Sequence, residues 1–264
     1  MRLLSLVLLS FLAACGGGSA TSERAPDQAP PVEAPSVPHT VVVYATASLR
    51  PAFTALAARY EQDHSGAEVE LHFAGGAALL AQAHAGAVID VVAIGDSSQM
   101  SRFAAAALLA AHSATELARN RIAIAVAKGN PKQVHTVRDL VRADVRLGLG
   151  TRSSSIGRYG RWVLTHQNLD KEPSAEAPTA DALLAKLAAG EVDAAIVYVT
   201  TLRGVDGIVR VDVPAAENQA VLYSIAAMRK AAEPRGAAAF RALALSPTGQ
   251  AILQEHGLLP IGAK

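Results

Sequence analysis

Small and hydroxylated residues stand at four junctions where an apolar run gives way to a predicted helix. The first junction is at Ser48, which follows the apolar run 41–44 and precedes a helical pattern of apolar residues. Its hydroxyl occupies the predicted N-cap, and Pro51 lies in the first turn, where a backbone N–H is not needed. Because the first N–H groups of a helix lack intrahelical partners, such a junction can bind an anion.

The other three junctions repeat this design further along the chain. The second carries Gly75 and Gly76, the third is the Ser- and Gly-rich segment 150–157, and the fourth is 179–181. Ligands of open α/β sheets bind beyond the carboxyl ends of the strands, beside helix N-termini. Several such ends converging on one cleft would surround an oxyanion with uncharged donors. Each loop taken alone is equally typical of an ordinary connector.

Strand and helix patterns alternate along most of the chain. Apolar runs predict strands at 41–45, 68–73, 90–94, 121–127, 145–149, 193–199 and 221–227. Helical periodicity predicts helices at 49–64, 77–85, 97–110, 136–143, 157–168, 180–189, 234–243 and 247–256. This alternation predicts an α/β fold in which mainly parallel sheets are flanked by helices.

The N-terminal residues 1–15 indicate an export signal rather than a folded segment. Arg2 precedes an apolar stretch that is too short to span a bilayer. The stretch ends in Leu12-Ala13-Ala14-Cys15, which resembles a bacterial lipobox, and Cys15 is the single cysteine of the chain. We therefore predict lipidation at Cys15, with an ordinary cleaved signal peptide as the alternative, and no intramolecular disulfide.

The composition of the remaining chain limits its partners. Residues 16–39 are rich in Pro, Gly, Ser and Ala, which predicts a flexible tether. The chain has 24 basic and 23 acidic residues, so it lacks the basic field that nucleic acid would require. Acyl chains at Cys15 would hold the protein on a membrane without crossing it.

Patterns for catalysis or for a metal cation are absent from the sequence. There is no G-x-S-x-G, S-x-x-K, H-E-x-x-H or P-loop motif, and the eight histidines are scattered without metal-ligand spacing. We therefore predict that the protein is not an enzyme and has neither a cofactor nor a cation site. A hydrolase that uses Ser48 or one of the serines 153–155 is a remote alternative.

Seven short motifs follow one another along the chain. They are A-T-A-S-L at 45–49, F-A-G-G at 73–76 with Leu79 and Gln82, G-A-V-I-D at 86–90 with G-D at 95–96, N-R-I-A-I-A-V at 120–126, G-R-Y at 157–159, A-I-V-Y at 195–198, and G-Q-A-I-L-Q-E-H-G-L at 249–258. In this order they resemble the molybdate-binding periplasmic proteins of ABC transporters, a family of type II solute-binding proteins. Together they cover nearly all of the chain beyond the tether.

The resemblance implies a fold and a set of ligand contacts. Two lobes joined by two crossover strands would comprise residues 40–122 plus 223–264 and residues 123–222. The ligand-binding residues carried over from the family are Ser48 through its hydroxyl and N–H, Gly76 at the position of a second serine, Ile156 and Ala180 through their N–H groups, and Tyr198 through its phenol. Further candidate contacts are Gly75, Ser155, Arg152 and Arg158.

Several of these positions have alternative interpretations. Gly76 cannot donate from a side chain, so one hydroxyl contact of the family is missing. Arg152, Arg158 and Arg50 are equally typical of solvated residues at helix ends, although an inward guanidinium would suit a carboxylate or phosphate. Tyr198 ends a buried strand and could belong to the core.

The resemblance implies a monomeric, exported, lipid-anchored binding protein that captures molybdate or tungstate. Its partners would be an ABC permease and an ATPase, and it would act in the periplasm or cell envelope. A binding protein for phosphate, phosphonate, sulfate or a small organic acid is the alternative within this class. A sensor that retains the binding fold without transport is a further alternative.

Overall fold

The computed structural model describes residues 40–262, so the predicted signal segment, the tether and Cys15 lie outside the described residues. The described range contains the strands β1 (Thr40–Thr46), β2 (Glu68–Ala74), β3 (Val91–Gly95), β4 (Thr115–Asn120), β5 (Ile122–Ala127), β6 (Leu147–Gly150), β7 (Ala175–Ala177), β8 (Ala194–Tyr198), β9 (Ile208–Asp212) and β10 (Val221–Ala227). Its α-helices are α1 (Arg50–Asp63), α2 (Gly76–His84), α3 (Ser97–Ala105), α4 (Ser155–His166), α5 (Ala180–Ala188), α6 (Pro234–Leu245) and α7 (Pro247–Glu255).

The predicted elements are all present, with three strands that were not predicted. These strands, β4, β7 and β9, are short or carry charged residues, so their sequences lack a continuous apolar run. The predicted helix at 97–110 ends at Ala105, because the chain turns and Leu109 bridges to Met228. The predicted helix at 136–143 is a 3-10 helix over Val137–Val141 with a capping box.

The first sheet has the strand order β2-β1-β3-β10-β4. The pairs of β1 with β2 and with β3 are parallel, whereas β10 runs antiparallel to β3 and β4. All five residues of β3 are buried, as expected of a central strand covered by helices on both faces. The carboxyl ends of β1, β2 and β3 therefore open onto the same edge of the sheet.

The second sheet repeats this arrangement with the order β7-β6-β8-β5-β9. Its pairs β6–β7 and β6–β8 are parallel, and β5 runs antiparallel to β8 and β9. The α/β prediction is thus confirmed, with sheets that mix parallel and antiparallel pairs. Across each sheet, three mutually parallel strands lie side by side, and they are followed by one strand that runs antiparallel to them and by an edge strand.

The chain passes between the sheets at two places. It leaves the first sheet after Asn120 and enters the second at Ile122, and it returns to the first sheet at Val221. Asn120 is buried at the first passage, where its side chain donates to Tyr223 of the first sheet and to Thr200, which follows β8 of the second sheet. No helix within residues 40–262 is both long and apolar enough to cross a membrane.

Candidate functional site

A small cavity lies where the ends of the first sheet's strands face the starts of α4 and α5. Its lining residues are Thr46, Ala47, Ser48, Ala74, Gly75, Gly76, Gly95, Ser154, Ser155, Ile156, Pro178, Thr179, Ala180, Asp181 and Tyr198. We call residues 46–48, 74–76 and 95 the first wall, and residues 154–156, 178–181 and 198 the second wall. Seven of the nine predicted contact residues line this one cavity, and Arg152 and Arg158 do not.

The first wall presents Ser48 from a 3-10 turn rather than from a helix N-cap. The turn spans Ala47–Leu49, and Leu49 is the N-cap of α1, so the N-cap prediction for Ser48 was wrong. The Ser48 hydroxyl instead lies 2.8 Å from the hydroxyl of Tyr223, a fully buried residue of β10. Pro51 does occupy the first turn of α1, as predicted.

Gly75 and Gly76 form the rest of the first wall at the start of α2. Gly75 is the N-cap and has no side chain to satisfy the first N–H groups of the helix. A Cβ added at Gly76 would lie 3.3 Å from Cγ of Gln99, which is fully buried. A side chain at this position would therefore require Gln99 to shift by a few tenths of an ångström.

The second wall is built from two helix starts that carry side-chain caps. The Ser154 hydroxyl accepts a hydrogen bond from the N–H of Gly157, and the Thr179 hydroxyl accepts one from the N–H of Ala182. These caps satisfy later N–H groups in the first turn of α4 and of α5. The first N–H groups, including those of Ile156 and Ala180, lack intrahelical partners and lie at the cavity.

Two hydroxyls of the second wall have no hydrogen-bond partner among residues 40–262. Ser155 Oγ is buried, and the structure provides no acceptor or donor for it within this range. Tyr198 is 6% exposed, and its hydroxyl makes no hydrogen bond to another described residue. Burial raises the pKa of Tyr198 well above its ordinary value, so the phenol stays protonated and able to donate.

The arginines expected near the cavity have other contacts. Arg152 is largely exposed and pairs with Glu172 at 3.3 Å. The Arg50 guanidinium lies 4.4 Å from the centre of the Phe73 ring. Arg158 forms an ion pair with Asp96, which is only 4% exposed.

The Arg158–Asp96 ion pair joins the two sides of the cavity. Asp96 follows β3 and caps α3 by accepting from the N–H of Ser98 at 2.8 Å, whereas Arg158 belongs to the first turn of α4. A second link runs from the amide of Gln99 to the carbonyl of Ser153 at 3.4 Å. The described conformation is therefore one in which the two walls are held together by polar contacts.

The electrostatics of the cavity come from dipoles rather than from cations. No Lys or Arg is among the described residues that line it, and the one ionisable acid is Asp181. The surrounding protein partly desolvates Asp181 and raises the pKa of its carboxyl, while the positive charge of Arg50 opposes this shift. Three helix starts, those of α2, α4 and α5, direct their positive ends to this region.

The cavity is suited to a small ligand. Its volume is about 30 Å³, whereas holding one water requires roughly 10–15 Å³. An ion of a few heavy atoms can be accommodated between the walls in this conformation. Among residues 40–262 no group of three or more His, Cys, Asp or Glu side chains is arranged to hold a metal ion.

Three residues that matter to the site were not among the predicted ligand contacts. Asp181 belongs to the fourth predicted junction, 179–181, although only Ala180 of that junction was predicted to contact the ligand. Asn120 and Tyr223 are distant from Ser48 along the chain, and only the strand pairing brings them to it. No local sequence signal distinguishes them from ordinary strand residues.

Comparison with known proteins places the chain in a family. The family of bacterial extracellular solute-binding proteins matches residues 41–259. The molybdate-binding protein ModA of Mycobacterium tuberculosis (strain H37Rv) is 32% identical over 257 residues, which cover 97% of this chain and 95% of that protein.

Solved structures share the fold at lower sequence identity. The periplasmic molybdate-binding protein of Azotobacter vinelandii aligns with a TM-score of 0.72 and 17% identity over 83% of this chain and 98% of its own. The sulfate-binding protein SubI of Mycobacterium tuberculosis aligns with a TM-score of 0.73 and 16% identity over 85% and 88% of the two chains. The two mixed sheets flanked by helices are thus those of a two-lobed type II periplasmic binding protein. The chain belongs to the bacterial extracellular solute-binding protein family and is homologous to the ModA proteins.

Proposed function

We propose that this protein is the substrate-binding component of an ABC transporter and that it captures molybdate or tungstate between its two lobes. The proposal is supported by the homology to ModA, a protein named for molybdate binding, along 97% of the chain. The observation that carries it is the composition of the cavity. Uncharged hydrogen-bond donors converge there from both walls, and no described cationic side chain lines it.

Each wall would contribute donors to a tetrahedral dianion. Ser48 would donate from its hydroxyl and N–H, and Gly76 from its N–H at the start of α2. Ile156 and Ala180 would donate their free N–H groups, and Tyr198 its phenol. Hydrogen bonds to a charged group contribute about 1.5–3 kcal/mol each, so several of them can replace the hydration of the anion without a counter-charge.

Ser155 would supply the hydroxyl that Gly76 lacks. A buried hydroxyl without a partner is unfavourable in the free protein, and a ligand oxygen in the cavity would satisfy it. Because Ser155 belongs to the second wall, the donor would approach the anion from the side opposite to Gly76. The ligand would then receive as many hydroxyl donors as it would with a serine at position 76, but one of them would come from the second wall instead of the first.

Capture would follow from lobe closure without a chemical step. We propose lobes of residues 40–122 plus 223–264 and residues 123–222, with the cavity between them. Closure would exclude water and complete the donor set, and the Asp96–Arg158 ion pair would stabilise the closed form. The protein itself would not be an enzyme, and ATP hydrolysis would belong to the partner ATPase.

The location of the protein is part of the proposal. Membership in an extracellular solute-binding family agrees with an export signal in residues 1–15. Lipidation at Cys15 would place the mature protein at a membrane surface, with residues 16–39 as the tether. A monomer on this tether would deliver its ligand to the permease.

A second candidate ligand, hydrogen phosphate, is favoured by Asp181. A protonated oxyanion needs an acceptor for its proton, and a carboxylate at the cavity could provide one. Molybdate and tungstate are fully deprotonated near neutral pH, so for them the same carboxylate would only be repulsive.

Isothermal titration of the purified protein with molybdate, tungstate, sulfate and phosphate tests the proposal. We expect tight binding of molybdate and tungstate and weak or undetectable binding of sulfate and phosphate. Tight phosphate binding without molybdate binding would support the second candidate. If none of the four anions produced a heat of binding, both candidate functions would be contradicted.

A further inference from the structure

A buried hydrogen-bond chain leads from the passage between the sheets to Ser48. The side-chain amide nitrogen of Asn120 lies 3.2 Å from the hydroxyl of Tyr223 and 2.7 Å from that of Thr200. The Tyr223 hydroxyl lies 2.8 Å from the hydroxyl of Ser48. Asn120 and Tyr223 are at most 1% exposed, so water does not compete for these bonds.

The orientation of the Asn120 amide is determined by its neighbour in sequence. The backbone N–H of Arg121 lies 2.8 Å from Asn120 Oδ1, and a backbone N–H can only donate. The oxygen of the amide must therefore face Arg121, and its NH2 group must face Tyr223 and Thr200. Asn120 is then a donor to the Tyr223 hydroxyl.

This orientation decides the direction of the next bond. The Tyr223 phenol has one proton, and because it is fully buried that proton requires an acceptor. Within hydrogen-bond distance the described residues offer the Ser48 oxygen, since the Asn120 nitrogen is itself a donor. Burial raises the pKa of Tyr223 to about 12, partly offset by the bonds to Ser48 and Asn120, so the phenol retains its proton at neutral pH.

The backbone opposite Tyr223 makes room for this contact. Tyr223 pairs with Gly95 of β3, and a Cβ at that position would lie 2.8 Å from Tyr223 Cδ1. The ring therefore passes across the glycine to reach Ser48. A glycine at the end of a fully buried strand thus has a specific steric role.

We propose that Tyr223, oriented by Asn120, is a positioning residue that holds the Ser48 oxygen as an acceptor and directs the Ser48 proton into the cavity. The inference rests on the proposed function, because it requires Ser48 to donate to a bound oxyanion. Tyr223 does not line the cavity and acts through Ser48. In the absence of the phenol, the Ser48 hydroxyl would be free to rotate and to donate elsewhere.

A double-mutant cycle read by isothermal titration with molybdate tests this role. Tyr223→Phe should weaken binding about tenfold in the protein that retains Ser48. In the Ser48→Ala background the same substitution should change affinity less than about twofold. A purely structural role of the phenol would weaken binding equally in both backgrounds and would overturn the inference.

Two further variants keep the result interpretable. Tyr44→Phe removes a phenol from β1 of the same sheet, away from the cavity lining, and should leave affinity unchanged. Asn120→Asp replaces the donor by a carboxylate that accepts from Tyr223, which should draw the phenol proton away from Ser48. Its loss of affinity should be larger with Ser48 present than in the Ser48→Ala background, and equal losses would contradict the inference even if Tyr223→Phe fails to fold.

The outcome for Ser48→Ala separates the proposed function from the positioning role of Tyr223. If Ser48→Ala alone binds molybdate as tightly as the unmodified protein, the proposed contact at Ser48 is wrong. If Ser48→Ala weakens binding and Tyr223→Phe does not, the proposed function stands and the positioning role is wrong.

Discussion

The two walls of the cavity present their hydrogen-bond donors by different means. In the second wall, Ser154 and Thr179 cap α4 and α5 and leave the first N–H groups of both helices free. In the first wall, α2 begins at a glycine without a side-chain cap, and the Ser48 hydroxyl is held by a residue of a different strand.

The difference shows two ways to hold a donor in place for a ligand. A capped helix presents backbone N–H groups whose geometry is set locally, within three residues of the cap. A side-chain hydroxyl has a rotatable proton, so its direction must be set by a partner, here Tyr223. Substitutions in and beside the two walls test this comparison, beginning with the largest expected effect.

Ser48→Ala should have the largest effect on binding. The variant removes a hydroxyl donor to a dianion, which should weaken molybdate affinity by about 2–3 kcal/mol, or roughly thirtyfold or more. Isothermal titration measures the change. Ser101→Ala on α3 removes a hydroxyl that bonds only its own helix and should bind normally. Unchanged affinity in Ser48→Ala would show that the first wall acts only through its backbone.

Neighbouring serines of the second wall should separate binding from stability. Ser155→Ala should weaken molybdate binding by about 1.5 kcal/mol, roughly tenfold, without lowering the free energy of unfolding, because its buried hydroxyl has no partner within residues 40–262. Ser154→Ala should lower the free energy of unfolding by about 1 kcal/mol through loss of the cap. Titration and urea denaturation of both variants provide the measurements. If Ser155→Ala lowered the free energy of unfolding and bound molybdate normally, Ser155 would have a structural role and not a ligand contact.

Arg158→Met should weaken binding through the closed conformation. It removes the ion pair between the two sides of the cavity and leaves the buried Asp96 without its partner, so we expect about fivefold weaker molybdate binding, or ~1 kcal/mol. Arg152→Met is the matched control, because its exposed pair with Glu172 does not join the walls. Equal affinities of the two variants in titration would indicate that the Asp96–Arg158 pair does not contribute to capture.

Asp181→Asn should have the smallest effect, and its sign depends on the ligand. Removing a negative charge beside the cavity should strengthen molybdate binding by a factor of about two to three. For a protonated oxyanion, replacing the charged carboxylate by the weaker, neutral acceptor of the amide should weaken binding instead. Titration with molybdate and with phosphate therefore distinguishes the two candidate ligands on a single variant.

The same variant should change the pH dependence of stability. The folded-state pKa of Asp181 lies above its ordinary value of 3.8, so between these two pKa values the native state binds more protons than the unfolded state. The contribution of Asp181 to the free energy of unfolding therefore falls as pH rises from the unfolded-state pKa through the folded-state pKa. Subtracting the unfolding free energies of Asp181→Asn from those of the unmodified protein at several acidic pH values should reveal this negative slope. A positive slope in the difference would mean that the carboxylate is stabilised in the folded protein.

The positions of most elements and of the cavity residues could be predicted because their signals are local. Buried strands such as β3 are continuous apolar runs, and the starts of α4 and α5 carry hydroxyl caps next to helical periodicity. The edge strands β4, β7 and β9 were missed because charged residues interrupt their apolar runs, and β7 has only three residues. The contacts of Arg152 and Arg158 could not be assigned, because a long side chain at a helix start can reach solvent or the facing wall.

Local chemistry thus determined where N–H groups and hydroxyls would be available: glycine, serine and threonine mark the helix starts, and the first N–H groups of a helix lack intrahelical partners whatever the rest of the fold does. Tertiary structure decided which of them face one another and what holds them. Tyr223 reaches Ser48 across 175 positions of sequence, and Asp96, which follows β3, meets Arg158 of α4. Such contacts depend on strand order and register, which arise from the packing of the whole chain and leave no local pattern in the residues that make them.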